Sequence, residues 1–183
     1  MVWFFTPYSF EGKLFEAYDQ YMDLINAPDD WGVLTDGDAL FFHPDFGNVI
    51  RDHILKYPDT GMFVCYANRT GTQGQEYNEK LADIDSIKYN FLVADRLHRE
   101  NSGQSTAINC LVSGFLMAVQ KKTWMLIREE VRLRVKDRFL LGVDYTIAAS
   151  ILRRGMTIRR MDDLFMLHYY RFVEGNPENR GIK

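Results

Sequence analysis

Two aspartates, Asp36 and Asp38, lie one residue apart at the end of an apolar run, in the stretch WGVLTDGDALFF. Because side chains alternate along a strand with a period of two, both carboxylates are expected on the same side. Two carboxylates that close repel one another unless a cation or hydrogen-bond donors offset their charge. Hard oxygen ligands suit Mg²⁺ or Mn²⁺, so the pair predicts a divalent-cation site. An exposed Asp-Gly turn between two strands is the alternative interpretation.

Two ionisable residues late in the chain each allow two interpretations. Asp144 opens the helical pattern VDYTIAASILRRG, where the helix dipole favours an ionised carboxylate. A carboxylate there could accept a proton as a general base, or it could simply cap the helix. His168 ends the apolar run LFMLHYY, and a histidine so placed is either a metal ligand or a core residue with satisfied hydrogen bonds.

The first third of the chain alternates between strand and helix patterns. VWFFTPYS, WGVLTDGDALFF and GMFVCYA read as strands, and the first of these is expected to be buried. Phe15, Tyr18, Met22 and Ile25 form one apolar stripe of a helix, and PDFGNVIRDHILKYP predicts a second helix. The order β-α-β-α-β predicts an α/β fold with a mostly parallel central sheet flanked by helices.

The remainder of the chain is less regular. The sequence predicts a helix over DSIKYNFLVADRLHREN and two short strands that are broken near Ser113 and Gly114. One or two strands follow the helix that Asp144 opens, with Asp162 and Asp163 interpreted as a turn between them. Residues 172–183 contain turn formers without a core pattern, which indicates a mobile tail.

Composition limits the class of protein. The chain has 183 residues, 46% hydrophobic and 14% aromatic, as expected of one domain with a dense core. A net charge of −3 gives no general indication of nucleic-acid binding. No apolar run approaches the roughly 20 residues of a membrane span, and the N-terminus lacks a basic signal region. We therefore expect a soluble, cytoplasmic protein without a transmembrane segment, and self-association stays open.

Four blocks of the chain, in order, resemble glycosyltransferases of the GT-A fold, in particular the inverting family 2 group and its compact bacterial or phage members. The blocks are VWFFTPYS, LTDGDALFF, LVSGFLMAVQKKTW and FLLGVDYTIAASILRRGMTIRRMDDLFMLHYYR. The resemblance implies a single-domain, Rossmann-like GT-A fold over residues 1–183. It further implies a metal-dependent, inverting transfer of a sugar, of the hexosyltransferase type, from a nucleotide-diphosphate donor, with a UDP-sugar as the default, to an acceptor hydroxyl.

The resemblance assigns the chemical roles residue by residue. Asp38 would bind Mn²⁺ or Mg²⁺, which bridges the donor diphosphate. Asp36 would contact the donor ribose or a metal-bound water. His168 would be the further metal ligand. Asp144 would be the general base that deprotonates the acceptor hydroxyl.

The resemblance also implies residues that contact the two substrates. The turn at Ser113 and Gly114 would support the acceptor side. The chain lacks one strand and helix that family members usually carry before the Asp-x-Asp strand, so recognition of the nucleotide base must differ. Beside Asp36, the donor side would be formed by Thr6, Pro7, Tyr8, Lys13, Gly37 and Arg171.

Two other functions fit the aspartate pair. A phosphatase of the haloacid dehalogenase type would use one aspartate as its nucleophile, with Lys121 or Lys122 and the Asp162–Asp163 pair as its later motifs. The pair lies one βα unit too late in the chain for that family. A non-catalytic nucleotide-sugar-binding domain would retain the metal site but would catalyse no reaction.

Overall fold

The computed structural model describes residues 1–9, 11–77, 86–135 and 142–169. Within these ranges, five helices accompany a mixed sheet of seven strands. The predicted tail and Arg171 lie outside the described residues. In chain order the elements are β1 (Val2–Phe5), α1 (Leu14–Asp23), β2 (Trp31–Thr35), β3 (Ala39–Phe41), α2 (Phe46–Lys56), β4 (Thr60–Ala67), α3 (Ile87–Asn101), β5 (Ser105–Ile108), β6 (Leu116–Gln120), α4 (Lys121–Val135), α5 (Val143–Arg153) and β7 (Thr157–His168).

The order of strands in the sheet is β1-β2-β6-β4-β7-β3, and β5 also pairs with β7. Only the β1–β2 and β4–β7 pairs are parallel, while the other four pairings in the described ranges are antiparallel. The prediction of a mostly parallel sheet is therefore wrong, and the sheet is mixed. β2 and β6 are apolar and covered on both faces, so their sequence pattern does not depend on strand direction.

The stretch WGVLTDGDALFF does not form one continuous strand. β2 ends at Thr35, and the chain turns at Gly37 and Asp38, where the Ala39 N–H donates to the Asp36 carbonyl at 3.3 Å. The aspartates thus lie in a turn between two strands, as the alternative interpretation held. β2 and β3 do not form a hairpin, however, because β6, β4 and β7 lie between them in the sheet.

The core lies on both faces of the sheet. The predicted stripe of α1 is confirmed, because Phe15, Tyr18, Met22 and Ile25 are buried against α4, α5 and one face of the sheet. α2 packs on the opposite face, around the fully buried Ile50. α3 contacts the second half of β7. Among the helices of the described ranges, none combines the length and apolar character that crossing a bilayer requires.

The first strand is at the edge of the sheet and is only half-buried. Trp3 and Phe4 remain 39% and 42% exposed, so the prediction of a buried strand is wrong. Phe4 packs edge-on against Phe46 of α2 at a ring distance of 5.4 Å. Because β1 pairs with β2 alone, its apolar composition does not bury it.

Asp162 and Asp163 do not form a turn between strands; they lie within β7, where its register against β4 shifts. Asp163 is 3% exposed, and its carboxylate lies 2.7 Å from Nε2 of the buried His53. Its second oxygen accepts the Gly103 N–H at 2.7 Å. Asp163 thus connects β7 to α2 and to the end of α3.

We expect Asp163→Ala to lower the free energy of unfolding by about 3–5 kcal/mol, because it leaves a buried histidine and a backbone N–H without their acceptor. Asp52→Ala removes a carboxylate that is 67% exposed and should change the free energy by less than about 0.5 kcal/mol. Urea denaturation measures both variants. Equal stability of the two would contradict the structural role of Asp163.

Candidate functional site

The carboxyl ends of several strands meet at one edge of the sheet. β1 and β2 are parallel, and Thr6 and Asp36 directly follow them. β6 runs antiparallel to β2 and begins at the same edge, where the Asp36 N–H donates to the Phe115 carbonyl at 3.2 Å. β4 and β7 are parallel and also end here, which places His168 in the group. Open α/β sheets bind ligands at such an edge.

Asp36, Asp38 and His168 converge at this edge. One ligand atom from each residue lies within 4.8 Å of the others. Nε2 of His168 is 3.7 Å from Oδ2 of Asp36 and 3.5 Å from Oδ1 of Asp38. The carboxylate side chains are 38% and 48% exposed, whereas the histidine is almost fully buried. The structure therefore brings together the three residues that the resemblance assigned to a metal, with the two carboxylates partly exposed to solvent.

The orientation of His168 is fixed by its neighbours. Its Nδ1 lies 3.0 Å from the carbonyl of Arg69, which can only accept a hydrogen bond, so Nδ1 carries a proton. Its backbone N–H donates to Oδ1 of Asn68 at 2.7 Å. His168 also pairs with Ala39 across β3 and β7, and the next N–H, of Tyr169, donates to the Asp38 carbonyl. The antiparallel β3–β7 pair thereby holds Asp38 beside the imidazole.

This geometry suits a cation. Nε2 of His168 faces two carboxylates, and a cation placed among these three groups, whether a proton or a metal ion, stabilises the arrangement. Imidazole is a ligand of transition metals, whereas Mg²⁺ is usually bound through carboxylates and water. Two carboxylate oxygens with one imidazole nitrogen therefore fit Mn²⁺ better than Mg²⁺.

The two carboxylates differ in their electrostatic environment. Burial raises the pKa of Asp36, with smaller increases from Asp38 and Asp144, although His168 opposes them. A hydrogen bond to His168 lowers the pKa of Asp38 despite partial burial. Asp38 thus ionises more readily than Asp36, and a bound cation would offset the unfavourable negative charge of Asp36.

Asp144 occupies the first turn of α5 beside this cluster. Gly142 is the N-cap, so Asp144 is not the capping residue that the simpler interpretation suggested. Its two carboxylate oxygens accept the N–H groups of Gly114 and Tyr145, each at 2.9 Å. Burial raises the pKa of Asp144, and these backbone hydrogen bonds oppose the increase. The carboxylate is therefore both oriented and made more basic than an exposed aspartate.

The predicted acceptor turn lies against Asp144. A Cβ added to Gly114 would lie 3.0 Å from Cβ of Asp144, so the glycine allows the close approach. The turn is anchored by Gln75, which is fully buried and bonds the backbone N–H and carbonyl of Ser113. The Ser113 hydroxyl accepts from Thr70 at 2.9 Å.

The residues assigned to the donor are only partly brought to the site. Thr6 lies close to Gly37, because its methyl group would be 3.7 Å from a Cβ added to that glycine. Pro7 is half-buried, and Tyr8 follows it with 68% of its surface exposed. Lys13 instead forms an ion pair with Glu11, and its side chain is 61% exposed. This contact turns Lys13 to its own loop rather than to the carboxylates.

Tyr18 was assigned only to the core by its sequence pattern, yet its hydroxyl reaches the site. The side chain is 2% exposed, and its oxygen lies 3.4 Å from the position of a Cβ on Gly114. Burial raises the pKa of Tyr18 far above its ordinary value, and the charges of Asp36 and Asp144 add to the increase. The helical stripe carried no signal for this, since the hydroxyl of a core tyrosine can point anywhere.

No protein-family model and no curated protein matches this chain. The functional assignment therefore depends on the geometry and chemistry of the site itself.

Proposed function

We propose that the protein is a metal-dependent, inverting glycosyltransferase that moves a sugar from a nucleotide-diphosphate donor to an acceptor hydroxyl. The observation that carries the proposal is the convergence of Asp36, Asp38 and His168 at the strand-end edge, with the oriented carboxylate of Asp144 beside them. A compact GT-A fold would place a metal and a base in this relation. The four sequence blocks that resemble such enzymes also support the proposal.

The proposed reaction forms two bonds and breaks two. The acceptor hydroxyl transfers its proton to Asp144 while its oxygen attacks the anomeric carbon. The bond from that carbon to the diphosphate oxygen breaks, and the nucleotide diphosphate leaves from the opposite face, which inverts the anomeric centre. A divalent cation held by Asp36, Asp38 and His168 would supply Lewis-acid stabilisation of the charge on the leaving diphosphate.

The environment of Asp144 supports its role as the base. Two backbone N–H groups fix the carboxylate plane, so the free lone pairs have a defined direction. The raised pKa brings its proton affinity closer to that needed at neutral pH. Because its pKa is raised, Tyr18 stays protonated next to the two acids and adds no further negative charge there.

The surroundings of β1 bear on the donor nucleotide. β1 is an edge strand, and in the described ranges no further strand pairs with its outer edge. Family members usually have a unit that reads the base, and the sequence lacks it. We therefore propose that Thr6 and the exposed Tyr8 provide what contact there is with the nucleoside.

The geometry supports the phosphatase alternative less well. Lys121 donates to Asp23 and to the Met22 carbonyl, at the end of β2 remote from the aspartate pair. Lys122 pairs with Asp29 nearby. Asp163 is engaged with His53. No lysine or further acid of that proposed set lies in the cluster, so the transferase remains the favoured proposal.

A thermal-shift screen of nucleotide sugars tests the proposal. With Mn²⁺ present, the true donor should stabilise the protein by about 2.7 kcal/mol at a concentration 100 times its Kd. The same sugar without metal should give a much smaller shift, and the corresponding nucleoside monophosphate serves as the matched ligand control. Hydrolysis of a generic phosphate ester, with no stabilisation by any nucleotide sugar, would overturn the proposal.

A further inference from the structure

A second cluster of ionisable side chains lies outside the candidate metal site. It surrounds a cavity of about 200 Å³ between α2, the end of α3 and the irregular part of β7. Three histidines and three aspartates line it. The histidines are His43, His53 and His98, and the aspartates are Asp45, Asp52 and Asp163.

The rings of His43 and His98 lie face to face. Their centroids are 3.7 Å apart, with an angle of 36° between the planes. Nδ1 of His43 accepts the backbone N–H of Asp45 at 3.2 Å, so in this arrangement His43 is neutral and protonated on Nε2. A second proton on the ring would replace that acceptor with a donor, and the hydrogen bond would be lost.

His98 forms the other half of the stack. Its Nδ1 is buried and has no hydrogen-bond partner among the described residues, so a proton there would be an unsatisfied buried donor. A proton on each ring would also place two positive charges within stacking distance. Both effects oppose the double protonation of the pair.

The groups that face His43 come from three elements. α3 supplies His98 and Asp95, α2 and its N-cap supply Asp45, Asp52 and His53, and β7 supplies Asp163. Burial lowers the pKa of His43, His98 adds to the decrease, and Asp45, Asp163 and Asp95 oppose it. The net direction is downward, so the folded protein favours the neutral ring.

The histidine pair is connected to the metal site through a single short strand. His43 lies two residues beyond the end of β3, and Asp38 immediately precedes its start. β3 has three residues, and its pairing with β7 includes Ala39 opposite His168. The contact of His43 with α3 therefore anchors the far end of the strand that positions Asp38.

We propose that the His43–His98 stack is an acid-sensitive latch that holds β3 against β7 and thereby keeps Asp38 beside His168. Below about pH 6.5, protonation of His43 breaks its hydrogen bond with the Asp45 N–H and releases β3. The contact between Nε2 of His53 and the Asp163 carboxylate, at 2.7 Å, holds the β7 side in place. The claim that this opening regulates metal binding rests on the proposed function. The opening of β3 does not depend on that function.

Hydrogen exchange of the metal-free protein tests the latch directly. After correction for the intrinsic rates, amides of residues 39–43 should lose at least tenfold protection between about pH 7.5 and about pH 5.5. Residues 31–35 of β2 should keep theirs. In His43→Gln, which cannot gain a proton at this position, the protection of residues 39–43 should not depend on pH.

The proposal is overturned if wild-type residues 39–43 stay protected at the lower pH, or if His43→Gln loses protection equally. Should that variant not fold, a proton NMR titration of wild-type His43 decides instead, because His43 must gain its proton below its ordinary range and over the same pH interval as the loss of protection. Mn²⁺ binding at about pH 7.5 is measured separately. If β3 opens at low pH but the protein binds no Mn²⁺ at about pH 7.5, the latch is supported and the proposed metal site is contradicted.

Discussion

Asp38→Ala is expected to weaken Mn²⁺ binding by more than about 100-fold, because it removes the anion with the lowered pKa from a site with three protein ligands. Asp36 and His168 alone cannot offset the loss, since the charge of Asp36 is itself disfavoured by burial. Isothermal titration calorimetry measures the affinity, and the metal-dependent stabilisation by a nucleotide sugar should vanish with it.

The matched control is Asp29→Ala, which removes a carboxylate that is 79% exposed at the other end of the sheet. Its Mn²⁺ affinity should equal that of the wild type. If Asp38→Ala bound the metal as tightly as this control, the cation would lie elsewhere and the proposed function would lose its main support.

Asp144→Asn is expected to lower turnover by about 100-fold to 10,000-fold while Mn²⁺ and donor affinities stay within about threefold. The amide cannot accept the proton of the acceptor hydroxyl, whereas the metal ligands are untouched. Steady-state kinetics and a binding titration with the donor make the measurement. A protein that only binds nucleotide sugars would show no turnover even in the wild type.

The structure requires a stability control for this variant. Asp144 accepts two backbone N–H groups with different oxygens, and asparagine has only one carbonyl oxygen for them. The lost hydrogen bond should cost about 1–3 kcal/mol. An opposite effect arises because burial raises the pKa of Asp144, so the ionised form destabilises the folded state above its unfolded pKa, and asparagine removes that charge.

Gly114→Ala tests whether turnover depends on the position of the Asp144 carboxylate as well as on its presence. The added Cβ would lie 3.0 Å from Cβ of Asp144, which displaces the carboxylate without removing it. We expect a smaller loss of turnover than in Asp144→Asn, with partial recovery at higher pH where the displaced carboxylate is fully ionised. A normal turnover rate in Asp144→Asn would contradict the assignment of Asp144 as the general base.

Local patterns determined much of this protein. The apolar spacing of α1 predicted a stripe that is buried as expected, and the apolar residues of α5 predicted the helix that Asp144 opens. The residue types of the site were also evident, because paired aspartates after an apolar run have few uses other than a turn or a cation. Side chains a few residues apart on one element are positioned by local backbone geometry alone.

Contacts distant in sequence were decided only by the tertiary structure. Strand direction, and hence the mixed sheet, depends on which strands pair. The sequence of a buried apolar strand does not indicate whether its neighbours are parallel or antiparallel. The turn at Gly37 and Asp38 became a candidate metal site rather than a hairpin because β3 crosses to β7. The pairing of His53 with Asp163, and the placement of Tyr18 among acids, likewise depend on packing between separate elements. No local sequence pattern encodes the side chains that such packing brings together.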